Sequence, residues 1–164
     1  MKTAPLPPNE KERLAALHAL LILDTPPEQR FDRITEFAAS EFDAPIALIS
    51  LVDENRQWLK SRVGLDVCET SRDVAFCAHA LLSTEPLVVP DTLKDERFAD
   101  NPLVVGMPHI RFYTGAPLVL PSGLIAGTLC IIDTKPREVD ATDLAILGTL
   151  RDLAVSELLE RGQA

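Results

Sequence analysis

Residues 110–133 read IRFYTGAPLVLPSGLIAGTLCIID, two β-rich runs on either side of Pro121-Ser122-Gly123. Apolar, β-branched and aromatic residues bounded by a Pro/Gly turn predict a hairpin with those three residues as its loop. Leu120 then faces Leu124, and residues of one parity share a face, because side chains alternate with period two. Phe112, Thr114, Ala116, Leu118, Ala126, Thr128, Cys130 and Ile132 form one face; Tyr113, Gly115, Val119, Ile125, Gly127, Leu129 and Ile131 form the other. Neither face is polar, so both require cover, and the hairpin belongs in the middle of a sheet. Gly115, Ala116, Ala126 and Gly127 leave room for a close approach to the backbone. Pro117 donates no ladder bond and demands a bulge or a local break in pairing.

Upstream of the hairpin, residues 46–52 are apolar at nearly every position and predict a central strand, and 56–63 return as a second strand after the turn residues Asp53-Glu54-Asn55. Trp58 shares a face with Lys60 and Arg62. Packing is the favoured role for that ring, with ligand stacking as the alternative. Residues 64–71 read as a loop, 74–82 as a short helix and 87–89 as a short strand closed by Pro90-Asp91. The polar, turn-rich segment 92–108, with Asn101 and Pro102 starting a one-turn helix, is placed as a lid or a surface connection.

Helices are expected at both ends of the chain. Asn9 caps a helix over 9–23 with the stripe Leu14, Leu17 and Leu21, on which His18 also sits as a packed or interface histidine. Thr25-Pro26-Pro27-Glu28 has the form of a capping box for a helix over 26–42 that buries Phe31, Ile34, Phe37, Ala38 and Phe42. Asp140 caps a last helix over 140–161, striped by Ile146, Leu147, Leu150, Leu153, Ala154 and Leu158 and regular to near Gly162. Residues 1–8, with three prolines, are expected to be a disordered tail before a single domain over 9–162 whose sheet core spans 45–133. The apolar surface of the terminal helices exceeds what one sheet face needs, which fits either a homodimer through those helices or ordinary core packing.

Charge and composition remove several classes. A formal net charge of -9 without a Lys/Arg cluster disfavours nucleic acid and anionic membranes as partners. The first residues lack the apolar core of a leader peptide and no run approaches the length of a membrane span, so a cytoplasmic location is expected. Three cysteines fit reduced thiols better than a disulfide framework. Phe76-Cys77-Ala78-His79 invites a metal reading, but positions two apart on a helix point to different sides. No metal or cofactor is called for, and neither a G-x-G-x-x-G nor a P-loop is present.

The runs ILDTPPE (22–28), FDRI (31–34), SLVD (50–53), WLKS (58–61), FCAHA (76–80), PLVVPD (86–91), RFADNP (97–102), IRFYTGAPL (110–118) and GTLCIID (127–133) resemble the GAF domain, in particular modules in front of bacterial sensor histidine kinases and diguanylate cyclases. The resemblance implies an α+β, three-layer fold: a central antiparallel sheet, terminal helices on one face, often used for dimerisation, and a small-molecule pocket under short helices and loops on the other. It also implies a non-enzymatic sensory module that binds an unidentified small molecule and, since no output segment follows the last helix, acts on a signalling partner in trans. The pocket is placed between Phe112, Thr114, Thr128 and Cys130 of the hairpin and a cover made by 76–80 with the loop after Asp91, with Trp58, Phe76, Cys77, His79 and Asp91 completing the ligand-binding set. The alternative is a thiol redox sensor, or an enzyme like the free methionine sulfoxide reductases of the same family, using Cys68 and Cys77. Phe112 stands where that enzyme pattern has a further cysteine.

Overall fold

The computed structural model describes residues 1–161, so the expected domain edge at Gly162 lies outside the described residues. Two short helices lead in, α1 (Glu10–Ala19) and α2 (Gln29–Glu41), followed by β1 (Ile46–Val52), β2 (Arg56–Val63) and β3 (Glu69–Ser71). Then come α3 (Phe76–Ala80), β4 (Leu87–Val89), α4 (Pro102–Val105), the hairpin β5 (Phe112–Val119) and β6 (Ile125–Asp133), and α5 (Ala141–Arg161). The six strands form one sheet in the order β3-β2-β1-β6-β5-β4, with each neighbouring pair antiparallel. β1 and β6 are central, which explains why every residue of both is buried.

The hairpin closes as its sequence requires: the Leu120 amide donates to the Leu124 carbonyl at 2.8 Å, and Gly123 takes φ +88, where a side chain would be strained. Its face assignment does not hold. Between the pairs Pro117↔Thr128 and Val119↔Ile125, β5 advances by two residues and β6 by three, so β6 carries one extra residue near Ala126 and Gly127. This bulge inverts the alternation of β6 relative to β5. Phe112, Ala116 and Leu118 therefore share the helix-side core with Leu129 and Ile131, while Tyr113 shares the opposite core with Cys130 and Ile132. The irregularity demanded by Pro117 is present, one strand away from the proline.

A second bulge lies in β2, where Ile49↔Ser61 is followed by Ser50↔Leu59 and Lys60 is the extra residue. Lys60 and Ser61 both reach the helix layer: Lys60 Nζ donates to Thr25 Oγ1 at 2.8 Å and the Pro26 carbonyl at 2.7 Å, and Ser61 Oγ donates to Asp32 Oδ1 at 2.6 Å. Trp58 packs in the same helix-side core with Phe31, Ile34, Leu150 and Leu158. Complete burial of a ring such as Phe31 contributes about 2 kcal/mol relative to exposure.

The terminal helices are shorter or rotated relative to expectation. α1 stops at Ala19 because Leu21 and Asp24 adopt positive φ, and this leaves Leu21 79% exposed while Leu17 is buried. α2 starts at Gln29, three residues after its expected start, because Thr25 Oγ1 bonds the Ile22 carbonyl and Lys60 instead of capping a helix. Phe37 is 54% exposed and Leu153 51% exposed, so both leave their expected core stripes. The N-terminal tail is not free of the domain: Pro7 is buried, and the His79 ring nitrogen contacts the Lys2 carbonyl at 3.1 Å.

Candidate functional site

The face of the sheet turned away from α2 and α5 carries Ile46 and Leu48 from β1, Gln57 from β2, Tyr113 from β5 and Ile132 from β6. Above it lie Phe76 and Cys77 of α3, Leu65, Val67 and Thr70 from the segment around β3, and Leu103, Met107, Pro108 and Ile110 around α4. Together these residues enclose a cavity of about 180 Å³. Its walls are almost wholly apolar, and none of its lining residues is Lys, Arg, Asp or Glu. The broader surface concavities differ in kind. One of about 580 Å³ runs beside the N-terminal tail past Glu10, Glu54, Arg72 and Asp73, a polar and charged lining.

The cover is built by local sequence. Asn101 Oδ1 accepts the Leu103 amide at 2.8 Å and Pro102 opens α4, as expected from the Asn-Pro pair, while Asn101 Nδ2 donates to the Val74 carbonyl at 3.1 Å and ties α4 to the entrance of α3. Phe76 stacks on Phe98 with centroids 4.2 Å apart. The segment 92–108 therefore packs over the cavity, although only its α4 end lines it.

Cys77 is the chemical centre of the wall. Thr128 Oγ1 donates to its sulfur at 2.9 Å and Tyr113 Oη at 3.2 Å. The Tyr113 ring lies over Gly115, where a Cβ would meet the hydroxyl at 2.2 Å, so the missing side chain at 115 gives Tyr113 its path to Cys77. Ser50, behind the same group, donates its proton to Gln57 Oε1 at 2.9 Å. Gln57 Nε2 in turn donates to Thr70 Oγ1 at 3.0 Å. Burial disfavours the Cys77 thiolate, but hydrogen bonds from Cys130, Ser50, Thr128 and Tyr113 outweigh it and bring the thiol down to about 6. Cys130 is pushed well up by its hydrogen bond to Cys77 and by burial, and Tyr113 by burial and the neighbouring sulfur charge.

Of the residues singled out from sequence, Phe76 and Cys77 line the cavity, and Thr128 and Cys130 stand directly behind Cys77. Phe112 lies in the helix-side core beneath the Arg137 guanidinium, and Thr114 follows its parity, with Oγ1 donating to the Leu87 carbonyl at 3.1 Å. Trp58 packs on the same far side of the sheet. His79 turns outward to the tail and meets the edge of Phe98 at 4.8 Å, and Asp91 caps a turn by accepting the Leu93 amide at 3.1 Å. Cys68 is exposed and lines a surface groove with Trp58 and Arg62 instead of the cavity, whereas Cys77 shares its buried core with Cys130. Sequence reasoning passed over Tyr113, Gln57 and Ser50. Tyr113 was placed on the wrong face by the unbulged register, and Gln57 reads as an ordinary polar strand residue.

The sequence profile of the family described as GAF domain matches residues 26–158. The chain belongs to the GAF domain family. A curated relative, the cyclic di-GMP phosphodiesterase PA2567 of Pseudomonas aeruginosa, is 42% identical over 159 residues, which cover 96% of this chain and 27% of that protein. The chain thus spans about a quarter of that relative's length. Among solved structures, the GAF domain of a phosphoenolpyruvate-protein phosphotransferase from Coxiella burnetii superposes with a TM-score of 0.66 at 14% identity, covering 95% of this chain and 98% of that one. The free methionine-R-sulfoxide reductase of Neisseria meningitidis gives 0.63 at 17% identity, covering 99% and 98%. Both likenesses show a shared GAF fold, with the antiparallel sheet and layered helices anticipated from the resemblance.

Proposed function

We propose that this GAF domain is a non-enzymatic sensing module that holds a small, neutral, mostly apolar molecule in the cavity under α3 and α4 and relays its occupancy to a signalling output. The cavity carries the reading. Apolar walls with a few orienting groups, Gln57, Thr70, Tyr113 and Cys77, suit a ligand held mainly by burial and fixed by a small number of hydrogen bonds. A dry cavity of about 150 Å³ accommodates benzene, so a volume of about 180 Å³ favours a ligand only slightly larger. A cyclic dinucleotide is several times that size and carries phosphate charge that no lining residue would neutralise. The likeness to part of a cyclic di-GMP phosphodiesterase therefore supports an output concerned with cyclic di-GMP, in the cytoplasm and in trans or in a longer chain, more than it supports cyclic di-GMP as the ligand.

Thermal shift with two sets of compounds tests this reading: small neutral aromatics and alcohols on one side, cyclic di-GMP and cyclic mononucleotides on the other. A neutral ligand at a hundred times its dissociation constant stabilises by about 2.7 kcal/mol, which for a domain of this size raises the melting temperature by roughly 5–10 °C. Ile132→Phe, which directs a ring into the cavity, is expected to remove that shift while the protein stays folded. A neutral ligand that binds this variant unchanged, or stabilisation by the nucleotides alone, would place the site elsewhere.

Dimerisation is part of the same proposal, with its surface moved. Leu150 and Leu158 are buried against the sheet, so charge there would unfold the domain. The exposed pair Phe37 and Leu153, beside a groove lined by Phe37, Ile146, Thr149 and Leu150, is the apolar surface that a second copy would cover. Sedimentation of the double variant Phe37→Glu/Leu153→Glu is expected to show a folded monomer where the wild type is a dimer. A wild type already monomeric at micromolar concentration would refute the interface.

A further inference from the structure

Two buried thiols share the core on the cavity side of the sheet, and one of them, Cys77, lines the cavity. Cys77 projects from α3 onto the sheet, where its sulfur accepts a hydrogen bond from Thr128 of β6, two residues along the same strand face from Cys130; the two cysteines share one buried core and both are free. Two hydroxyls, Thr128 at 2.9 Å and Tyr113 at 3.2 Å, aim their protons at the same sulfur. Buried cysteines in a plain structural role sit among apolar groups with a protonated sulfur, and they need no converging donors. Here the sulfur is solvated like an anion, and it also forms part of the wall of a cavity that small molecules can occupy. We propose that Cys77 and Cys130 are a redox pair: a small organic hydroperoxide entering the apolar cavity oxidises the Cys77 sulfur, and Cys130 then closes a disulfide onto it.

The steps balance with the hydroperoxide as the two-electron oxidant. The Cys77 thiolate attacks the distal peroxide oxygen, the O–O bond breaks, and the departing alkoxide takes a proton to leave as an alcohol. Cys77 is then a sulfenic acid. With the charge on Cys77 gone, Cys130 loses its proton to the leaving hydroxide, its sulfur attacks that of Cys77, the S–O bond breaks and water departs. The net change is two thiols and one hydroperoxide to one disulfide, one alcohol and one water. The four groups divide the work: Thr128 and Tyr113 are positioning residues that hold Cys77 as a thiolate, Cys77 reacts, and Cys130 resolves. Closing the bond ties α3 to the central strand, so oxidation fixes the cover of the cavity. An empty cavity that merely admits the oxidant would serve, so this proposal does not depend on the ligand-binding reading.

The test uses the reduced full chain, tert-butyl hydroperoxide and mass spectrometry. Wild type and Cys68→Ser are both expected to lose about 2 Da, with one cross-linked peptide pair containing Cys77 and Cys130. Cys130→Ser, or Cys130→Ala if the serine variant does not fold, is expected to stop at a Cys77 sulfenic acid that dimedone captures. Thr128→Val is expected to slow the oxidation and to move the pH profile of Cys77 alkylation by iodoacetamide upward, which a purely structural threonine would not do. The titratable groups facing Cys77 are Tyr113 from β5 and Cys130 from β6, and both stay protonated across the neutral range, so the profile reports Cys77 itself. Oxidation confined to Cys68, a Cys68–Cys77 bond, or a Cys77 that stays a thiol in the folded protein would overturn the pair.

Discussion

Gly127→Ala is expected to cost the domain about 3 kcal/mol, near the upper end of what one added methyl group does in a packed interior. A Cβ at 127 would stand 1.8 Å from the Ser50 carbonyl oxygen and 2.8 Å from Leu51 Cα. Both are backbone atoms of β1, which pairs with β6 in the middle of the sheet, so no flexible side chain is available to give way. Relief requires β1 and β6 to separate at the bulge, and that disturbs Ser50 and Thr128, paired neighbours in the same register and both part of the Cys77 environment. Urea unfolding reads the loss directly, and the melting temperature should fall by roughly 10 °C. An unchanged midpoint would mean that the β1 and β6 backbones are not held together as closely as their register implies.

The same bulge marks where the sequence stopped being legible. The three-residue turn, the buried central strands, the Asn101-Pro102 start of α4 and the Asp140 cap of α5, which accepts the Asp143 amide at 2.8 Å, all follow from local chemistry that residues within a few positions decide. Pro117 announced an irregularity, but a proline cannot say which strand will carry the extra residue. That choice is made by a close backbone approach between β1 and β6, a contact between segments about eighty positions apart, and Gly127 is its only local trace. One inserted residue then moved Phe112 and Thr114 to the far face and brought Tyr113 to the cavity.

The helix layer failed to read for a related reason. Phe37 and Leu153 fit helical stripes by period alone, yet the stripe that packs is set by how each helix lies on a twisted sheet, and the sheet's orientation is not local information. Thr25-Pro26-Pro27-Glu28 has every residue of a capping box, but Lys60, on the helix-side face of β2 with Trp58, takes the Thr25 hydroxyl and the Pro26 carbonyl for itself, and the bulge turns Ser61 to the same layer. Cys77 was legible as a candidate because of its company in FCAHA, and Thr128 and Cys130 from their shared face of β6, whereas Tyr113 joins them only through the inverted register of β5 and β6.

Lys60→Met is accordingly expected to destabilise the domain by about 2 kcal/mol at neutral pH, within the range for losing hydrogen bonds to a charged group. The Lys60 side chain is 0% exposed, and its ammonium lies 2.7 Å from Glu28 Oε2 with Thr25 and Pro26 as further acceptors. Removing it leaves the Pro26 carbonyl without that donor, but Glu28 is 28% exposed and keeps Arg161 at 2.7 Å, so the carboxylate is not stranded. Glu28→Gln should cost at least as much, because it leaves an ammonium buried with neutral acceptors only. Acid separates this pair from simple packing. Burial pulls the Glu28 carboxyl upward, but the hydrogen bonds from Lys60 and Arg161 outweigh it and hold the group below its ordinary value. A carboxyl depressed in the folded state contributes stability that is complete above its unfolded value and disappears as pH falls through the folded one. The gap between wild type and Lys60→Met should therefore narrow as the solution is taken below pH 4.5, the ordinary Glu value. A gap that stays constant into acid would assign the loss to the Lys60 stem over the Phe31 ring, 5.5 Å from its charge, and not to the pair that joins α2 to the sheet.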